Sequence, residues 1–139
     1  DITHYQSLTN EEERAIENNA NRIINSCTDI NRSYMDKAEA EKKFGFHLYQ
    51  GGVVPGNTLR VVDIEGVDTE ACCGTHMENT AAVGGQNHQD IENLGGIVRL
   101  YYVALERAIE SLNTDQDIMN ALCDTWGVDQ TQILAAANR

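Results

Sequence analysis

The sequence predicts an α+β fold, in which a small antiparallel sheet has helices packed on it and is followed by C-terminal helices. Three observations predict this fold. A helical apolar stripe begins after residue 9, short β-rich segments bounded by turn residues fill the middle of the chain, and further helical patterns follow the last strand.

The first helix is predicted over residues 10–26, after an extended segment 1–8. Thr9 and Glu12 fit a capping box, and acidic residues in the first turn suit the helix dipole. Cys27 is expected to end the apolar stripe inside the core. The stripe has helical spacing and comprises Ala15, Ile16, Ala20, Ile23, Ile24 and Cys27.

A connecting strand is predicted over residues 28–35, followed by a second, short helix. Asp36 can cap this helix, and Gly45 is a suitable terminator. Ala38 and Phe44 are expected to be its buried residues.

Two strands are predicted over 58–64 and 67–71, joined by a turn at Glu65 and Gly66. The stretch 77–93 is polar and rich in turn residues, which suggests a mobile loop or a divergent sheet edge. His88, within it, is expected to be flexible and exposed.

Residues 97–103 give the strongest strand signal, because the run is almost continuously apolar. Arg99 inside it is expected either to extend to solvent or to contact a phosphate. Two helices are then predicted over 105–112 and 115–126, with Gly127 ending the second. Asp129 is expected to cap a last helix with two inward residues, Ile133 and Leu134.

Length and composition indicate one domain, or one domain with an appendage, of 139 residues with 41% hydrophobic residues. There is no run of about 18 apolar residues and no basic-apolar leader, so neither a membrane association nor a signal peptide is predicted. Four cysteines with one adjacent pair are unlike a secreted disulfide framework, which favours a reducing, cytoplasmic location.

The formal net charge is −12, and there are 22 carboxylates but only ten lysines and arginines. Such a charge is unusual for a surface that binds phosphates. Either the basic surface lies in another part of a larger protein, or the organism keeps high internal salt, where acidic surfaces remain soluble. We favour the second explanation, which predicts that the melting temperature does not fall in molar KCl.

One hexapeptide, residues 71–76, carries the strongest chemical signal. Cys72 and His76 lie four residues apart, and cysteinate and neutral imidazole are preferred zinc ligands. In a loop, Gly74 would supply the backbone freedom to turn both inward. Two ligands do not complete a zinc site, so a buried cysteine pair beside a hydrogen-bonded histidine is an equal alternative.

The residues around this hexapeptide add a family resemblance. Residues 60–80 resemble the editing domain of alanyl-tRNA synthetases, also called the second additional domain, which threonyl-tRNA synthetases and free-standing trans-editing proteins share. Residues 38–56 and 1–5 are similar to the archaeal branch of the alanyl enzymes. The resemblance covers nearly the whole chain and is weakest over 85–94 and after residue 113.

The resemblance implies hydrolysis of tRNA(Ala) wrongly charged with serine or glycine. In this family a zinc ion is held by an upstream His-x-x-x-His pair together with a Cys-x-x-x-His motif, which would make Cys72 and His76 ligands. No two of the four histidines here are four residues apart, so the chain resembles the domain from just after the first half of its site. Cys73 stands where the family usually has glycine.

The remaining site residues are candidates of two kinds. Thr75 could position substrate or water near the metal, and Gly74, Lys42 and Lys43 could contact tRNA. The lysines could equally be solvent-exposed partners of neighbouring glutamates. The implied partners are the acceptor end of tRNA(Ala) and the remainder of the synthetase. ATP and magnesium would belong to the parent enzyme only, since no ligase motif occurs in this chain.

Residues 1–103 are therefore expected to form the C-terminal portion of the editing domain. Residues 104–139 would form a helical segment leading toward the synthetase's C-terminal domain. Two other functions stay open: a catalytically inert structural or tRNA-interaction fragment, and part of a free-standing trans-editing hydrolase. An exposed sheet edge could also be covered by dimerisation of the chain.

Overall fold

The computed structural model describes residues 1–138 as two three-stranded antiparallel sheets and four α-helices. The α+β prediction is confirmed, with two small sheets in place of one. The elements in chain order are β1 (Ile2–Thr3), α1 (Asn10–Asn25), β2 (Ile30–Asp36), α2 (Lys37–Phe44), β3 (Thr58–Ile64), β4 (Asp68–Ala71), β5 (Gln86–Asn93), β6 (Ile97–Ala104), α3 (Glu106–Trp126) and α4 (Ile133–Ala137).

The first sheet, called the site sheet here, has the strand order β2-β3-β4. Because side chains alternate across a strand, Leu59 and Val61 of β3 point to one face and Arg60 to the other. Leu59 and Val61 are fully buried. They belong to an apolar cluster with Ala40, Leu48 and Ala71, against which Met35, Phe44, Tyr49 and Val54 pack.

Helix α2 covers this cluster and begins and ends as predicted. The Asp36 carboxylate accepts hydrogen bonds from the first-turn amides, and Gly45 ends the helix with a φ of 72°. Ala40 is buried, whereas Ala38 is exposed, so the prediction for Ala38 was wrong. The reason is that Ala40 and Phe44, four residues apart, share one face of the helix, and Ala38 lies on the other.

The second sheet, called the terminal sheet, has the strand order β1-β6-β5. The polar stretch expected to be a loop or an edge contains β5, an edge strand paired along β6 with an irregularity between His88 and Asp90. Asn21 of α1 ties this strand down, since its side chain bonds both the amide (2.8 Å) and the carbonyl (2.9 Å) of Gln86. The His88 side chain is only 3% exposed, so the expectation of a flexible, exposed histidine was wrong.

Helix α1 has the predicted capping box, in which Thr9 and Glu12 bond each other's main chain. No residue of α1 is buried, so its apolar stripe remains partly open. Cys27 is exposed rather than in the core. Its φ of 55° lies in the left-handed region, which breaks the helical periodicity and turns the side chain away from the stripe.

The two helices predicted after β6 are one continuous helix, α3, which ends at Gly127 in a left-handed conformation. Thr114 lies within it, and its hydroxyl donates to the Glu110 carbonyl at 2.9 Å. In α4, Ile133 is buried but Leu134 is 78% exposed, contrary to prediction, because adjacent helical residues point about 100° apart. Within residues 1–138 no helix has the length and apolar character needed to cross a membrane.

Arg99 of β6 neither extends freely to solvent nor is left unpaired for a phosphate. Its guanidinium donates two hydrogen bonds to the Asp1 carboxylate, at 2.7 and 2.8 Å. This bidentate ion pair lies between the strand that begins the chain and the central strand of the terminal sheet.

Candidate metal and substrate site

The predicted ligand motif lies on a loop, residues 72–77, at the end of β4. The Cys72 amide donates to the Arg60 carbonyl at 3.1 Å, which continues the β3–β4 ladder by one residue beyond the strand. Cys72 is therefore anchored to the sheet at the start of the loop, and the loop leaves the sheet from there.

The main chain of Gly74 connects the two predicted ligands. Its N–H donates to the Cys72 sulfur at 3.4 Å, and its carbonyl is 3.1 Å from Nδ1 of His76. Because a carbonyl only accepts, Nδ1 is the donor in this contact, and in the neutral ring with that tautomer Nε2 has a free lone pair. Metal-binding histidines commonly have this arrangement, in which the second ring nitrogen is bonded to a carbonyl.

Gly74 also marks how close the two side chains are. A Cβ placed on it would lie 3.5 Å from the Cys72 sulfur and 4.0 Å from Cε1 of His76, so both side chains flank the same point. Those are ordinary contact distances, and Gly74 has no left-handed φ. The expected need for backbone freedom at this glycine is therefore not what shapes the loop.

Two arginines shape it instead. From β3, the Arg60 guanidinium donates to the carbonyls of Cys72 at 2.6 Å and Gly74 at 2.8 Å. From β2, Arg32 donates to the carbonyls of His76 at 2.8 Å and of the next residue at 2.6 Å. Four main-chain carbonyls of the loop thus accept hydrogen bonds from these two arginines, which hold the loop against one face of the site sheet.

An open hollow of about 580 Å³ lies between this loop and the sheet. Thr75 and Cys73 are exposed and line it, so the structure brings both together with His76. That volume lies within the range of small-molecule sites. The hollow is lined by Arg32, Tyr34, Val54, Pro55, Thr58, Arg60, Cys73, Gly74, Thr75 and His76.

Sequence reasoning missed Arg32, Arg60 and Tyr34 as site residues. The signal was present in the alternation of the two strands, which puts Arg32 and Tyr34 on one face of β2 and Arg60 on one face of β3. In the observed register Tyr34 lies opposite Arg60, so these faces coincide. Finding them required the strand pairing, which a single segment does not contain.

Comparison with known proteins identifies the family that the sequence resembles. Residues 59–101 match the family described as the threonyl and alanyl tRNA synthetase second additional domain. The whole chain is 41% identical to the alanine–tRNA ligase of Methanococcus aeolicus and 38% identical to that of Methanosphaera stadtmanae, over 140 residues each. With the Staphylothermus marinus alanine–tRNA ligase it shares 46% identity over 114 residues, which is 81% of this chain.

The chain belongs to this family. It corresponds to the second additional domain region of alanine–tRNA ligases, and it spans 15% and 16% of the length of the first two relatives.

The structure does not place Lys42 and Lys43 beside the loop that carries Cys72 and His76. They lie on α2, which packs on the face of the site sheet that carries Leu59, opposite the arginines. Lys43 lies over the Phe44 ring with Nζ 4.7 Å from its centroid. A tRNA contact at these lysines therefore stays a prediction, separate from the hollow.

The described residues fit half of the zinc site that the second additional domain implies. The Cys72 sulfur and Cε1 of the His76 ring lie 3.5 and 4.0 Å from the point where a Cβ on Gly74 would stand. Within residues 1–138, however, no group of three or more His, Cys, Asp or Glu side chains is placed to hold a metal ion. A zinc ion needs at least three protein ligands, so Cys72 and His76 alone do not make a zinc site.

Proposed function

We propose that this chain is the C-terminal part of a zinc-dependent editing domain that hydrolyses Ser-tRNA(Ala) and Gly-tRNA(Ala) in an alanine–tRNA ligase. The observation that supports this most is the Gly74 arrangement, in which the Gly74 N–H donates to the Cys72 sulfur, the Gly74 carbonyl lies 3.1 Å from Nδ1 of His76, and both side chains flank one point. Arg32 and Arg60 hold that geometry from the sheet.

The reaction is hydrolysis of an ester between an amino acid and the terminal ribose of tRNA. When bound, zinc would lower the pKa of a water molecule or hold the substrate's amino group. Cys72 and His76 would hold the metal, and the Thr75 hydroxyl, exposed in the hollow, would position substrate or water. Each arginine has N–H groups beyond those bonded to the loop, which suit the phosphates of the tRNA end.

The parent enzyme would ligate alanine to tRNA(Ala) with ATP and magnesium in the cytoplasm, and this domain would act on the tRNA acceptor end. Gly74 would contact the substrate through its main chain, and Lys42 and Lys43 would contact tRNA away from the hollow. The boundary between residues 103 and 104 also stays a prediction.

A catalytically inert structural role is the second candidate. It is favoured by one observation, that residues 1–138 supply only two of the required metal donors. A free-standing trans-editing hydrolase is less favoured, because the full-length matches are to ligases that extend far beyond this chain.

Metal content tests the proposal. Zinc is measured by plasma emission spectrometry in the full-length ligase purified without chelator, as wild type, Cys72→Ala and Cys73→Ala. We expect stoichiometric zinc in the wild type and in Cys73→Ala, and loss of it in Cys72→Ala. Cys73 is the matched control, because it is the adjacent thiol on the same loop, it lines the hollow, and Gly74 bonds the sulfur of Cys72 instead.

Hydrolysis of Ser-tRNA(Ala) by the same three proteins decides between the candidates. The editing proposal expects deacylation by wild type and Cys73→Ala only. Zinc that persists in Cys72→Ala would make the ligand assignment wrong. Bound zinc without deacylation in the wild type would favour the structural role.

A further inference from the structure

The hollow of the candidate site has a second wall, formed by residues 50–57 and called the wall loop here. This loop follows the turn after α2 and leads into β3. Val54 and Pro55 of the wall loop line the hollow together with Thr75 and His76. The hollow is therefore bounded on one side by the loop of residues 72–77 and on another by apolar side chains.

Two glycines flank the apolar part of the wall loop. Gly52 has a φ of 107° and Gly56 a φ of 103°, which residues with side chains rarely adopt. Between them, Val54 packs against the buried cluster of the site sheet, whereas Val53 is 80% exposed. Because glycine has many accessible conformations, the position of residues 53–55 depends on how the loop is attached outside the two glycines.

Hydrogen bonds attach the wall loop on both sides of these glycines. On the side of β3, the Lys37 N–H at the start of α2 donates to the Asn57 carbonyl at 2.8 Å. On the side of α2, the Gly51 N–H donates to the Glu70 carboxylate of β4 at 3.0 Å. The second bond joins the wall loop to the strand that leads into the loop of residues 72–77.

The contact between Glu70 and Gly51 is close. A Cβ on Gly51 would lie 2.9 Å from Oε1 of Glu70, so a larger residue would have to displace the carboxylate. In the observed register Glu70 lies opposite Val62, which is on the same face of β3 as Arg60. Glu70 therefore projects from the same face of the site sheet as the arginines, which hold the other wall of the hollow.

We propose that Glu70 is a positioning residue, which fixes the wall loop through the Gly51 N–H. Val54 and Pro55 then hold the charged tRNA end against the loop of residues 72–77. The substrate in this inference rests on the proposed editing function, whereas the fixing of the wall loop does not. Because Glu70 acts on the wall loop, its loss weakens substrate binding and leaves the metal in place.

Hydrogen exchange in the full-length ligase tests the attachment. Glu70→Ala should make the amides of residues 51–57 exchange about tenfold faster, because it removes a hydrogen bond to a charged group. Glu70→Gln keeps an acceptor oxygen and should restore most of the protection. Glu65→Ala is the matched control, since Glu65 is an exposed carboxylate in the turn of the same hairpin, and it should change nothing. Unchanged exchange in β3 shows that each variant is folded.

Deacylation of Ser-tRNA(Ala) by the same proteins provides the second measurement. Glu70→Ala should raise KM about tenfold while kcat and the zinc content stay those of the wild type, and Glu70→Gln should restore KM. Unchanged exchange of residues 51–57 in Glu70→Ala would overturn the inference. So would a lower kcat with loss of zinc at an unchanged KM, which would assign Glu70 to the metal site instead of the wall loop.

Failure of the editing proposal gives a different result. A wild-type ligase that does not deacylate Ser-tRNA(Ala) would overturn the proposed function, and exchange of residues 51–57 would still show whether Glu70 fixes the wall loop. Gly51→Ala tests the same bond from the loop, because its new Cβ would displace the carboxylate. It should speed exchange of these residues as Glu70→Ala does, and normal exchange in both variants would show that the bond does not hold the loop.

Discussion

The two sheets of this chain have the same strand number and the same antiparallel pairing, but they differ in how well they are covered. The site sheet has its own core, with five buried residues contributed by β3, β4, α2 and the turn that follows α2. In the terminal sheet Val98 is buried, yet the helix on that sheet has no buried residue. The site sheet, which carries the loop of residues 72–77, is therefore covered by residues of its own elements.

The proposed site would account for this difference. A binding site needs a support that does not move by an ångström when substrate enters. Arg32 and Arg60 project from the well-packed sheet and bond the loop main chain, so the rigidity of the core reaches Cys72 and His76. The terminal sheet carries none of the proposed ligand residues.

The largest expected effect is in the core of the site sheet. Leu59→Ala should lower the free energy of unfolding by about 3 kcal/mol, because Leu59 is fully buried and its removal leaves a cavity. Urea unfolding measures this, with Leu134→Ala as the control. Leu134 is 78% exposed and should change the free energy by less than about 0.5 kcal/mol. A cost for Leu59→Ala no greater than the control's would show that the site sheet is not self-supporting.

A matched pair of valines compares the two sheets directly. Val61 and Val98 are equally buried, at 1% and 0% exposure, one in each sheet. Val61→Ala should cost about 2 kcal/mol and Val98→Ala about 1 kcal/mol, because Val98 already borders a hollow of about 350 Å³, so that its truncation enlarges an existing space. Urea unfolding of both variants measures the difference. An equal or larger cost at Val98 would remove the contrast between the sheets.

The sequence predicted the elements that depend on residues within one segment better than those that depend on distant contacts. The capping box of α1, the bounds of β3 and the end of α2 at Gly45 follow from residues within one segment, and each is observed. The polar strand β5 was ambiguous because its order comes from β6 and from Asn21, both distant in sequence.

The candidate site also combines residues that one segment predicts with residues that only the folded structure brings together. Cys72 and His76 are recognisable as a pair from spacing alone, and the structure places them on either side of Gly74. Arg32 and Arg60 belong to two strands that meet only in the folded hairpin, so their joint role in holding the loop requires the register. The proximity of Cys72 and His76 was therefore predictable from one segment, whereas the contacts that hold their loop were not.

A smaller effect is expected at the start of α1. Thr9→Ala removes the hydroxyl that accepts from the Glu12 amide at 3.2 Å and should cost about 1 kcal/mol. Because α1 lies on the terminal sheet, thermal unfolding should show this cost together with faster amide exchange in α1. Thr114→Ala is the control, since it lies within α3, where alanine is a favourable residue. If both variants lose the same stability, the cap contributes nothing specific.

The smallest expected effect is the pH dependence of that cap. The Thr9 amide and hydroxyl donate to the Glu12 carboxylate, at 2.8 and 3.1 Å, and these bonds hold the pKa of Glu12 below its ordinary value of 4.5. A carboxyl group with a depressed pKa in the folded state stabilises the fold above its unfolded pKa and loses that contribution as the pH falls through the folded pKa.

The melting-temperature difference between wild type and Glu12→Gln should therefore be largest near neutral pH and shrink as the pH falls below 4.5. Glu11→Gln controls for charge alone, because Glu11 lies in the same first turn but is not the residue that bonds Thr9. A difference that persists unchanged in acid would mean that the side chain's shape, rather than its ionised hydrogen bonds, holds α1 at the edge of the less covered sheet.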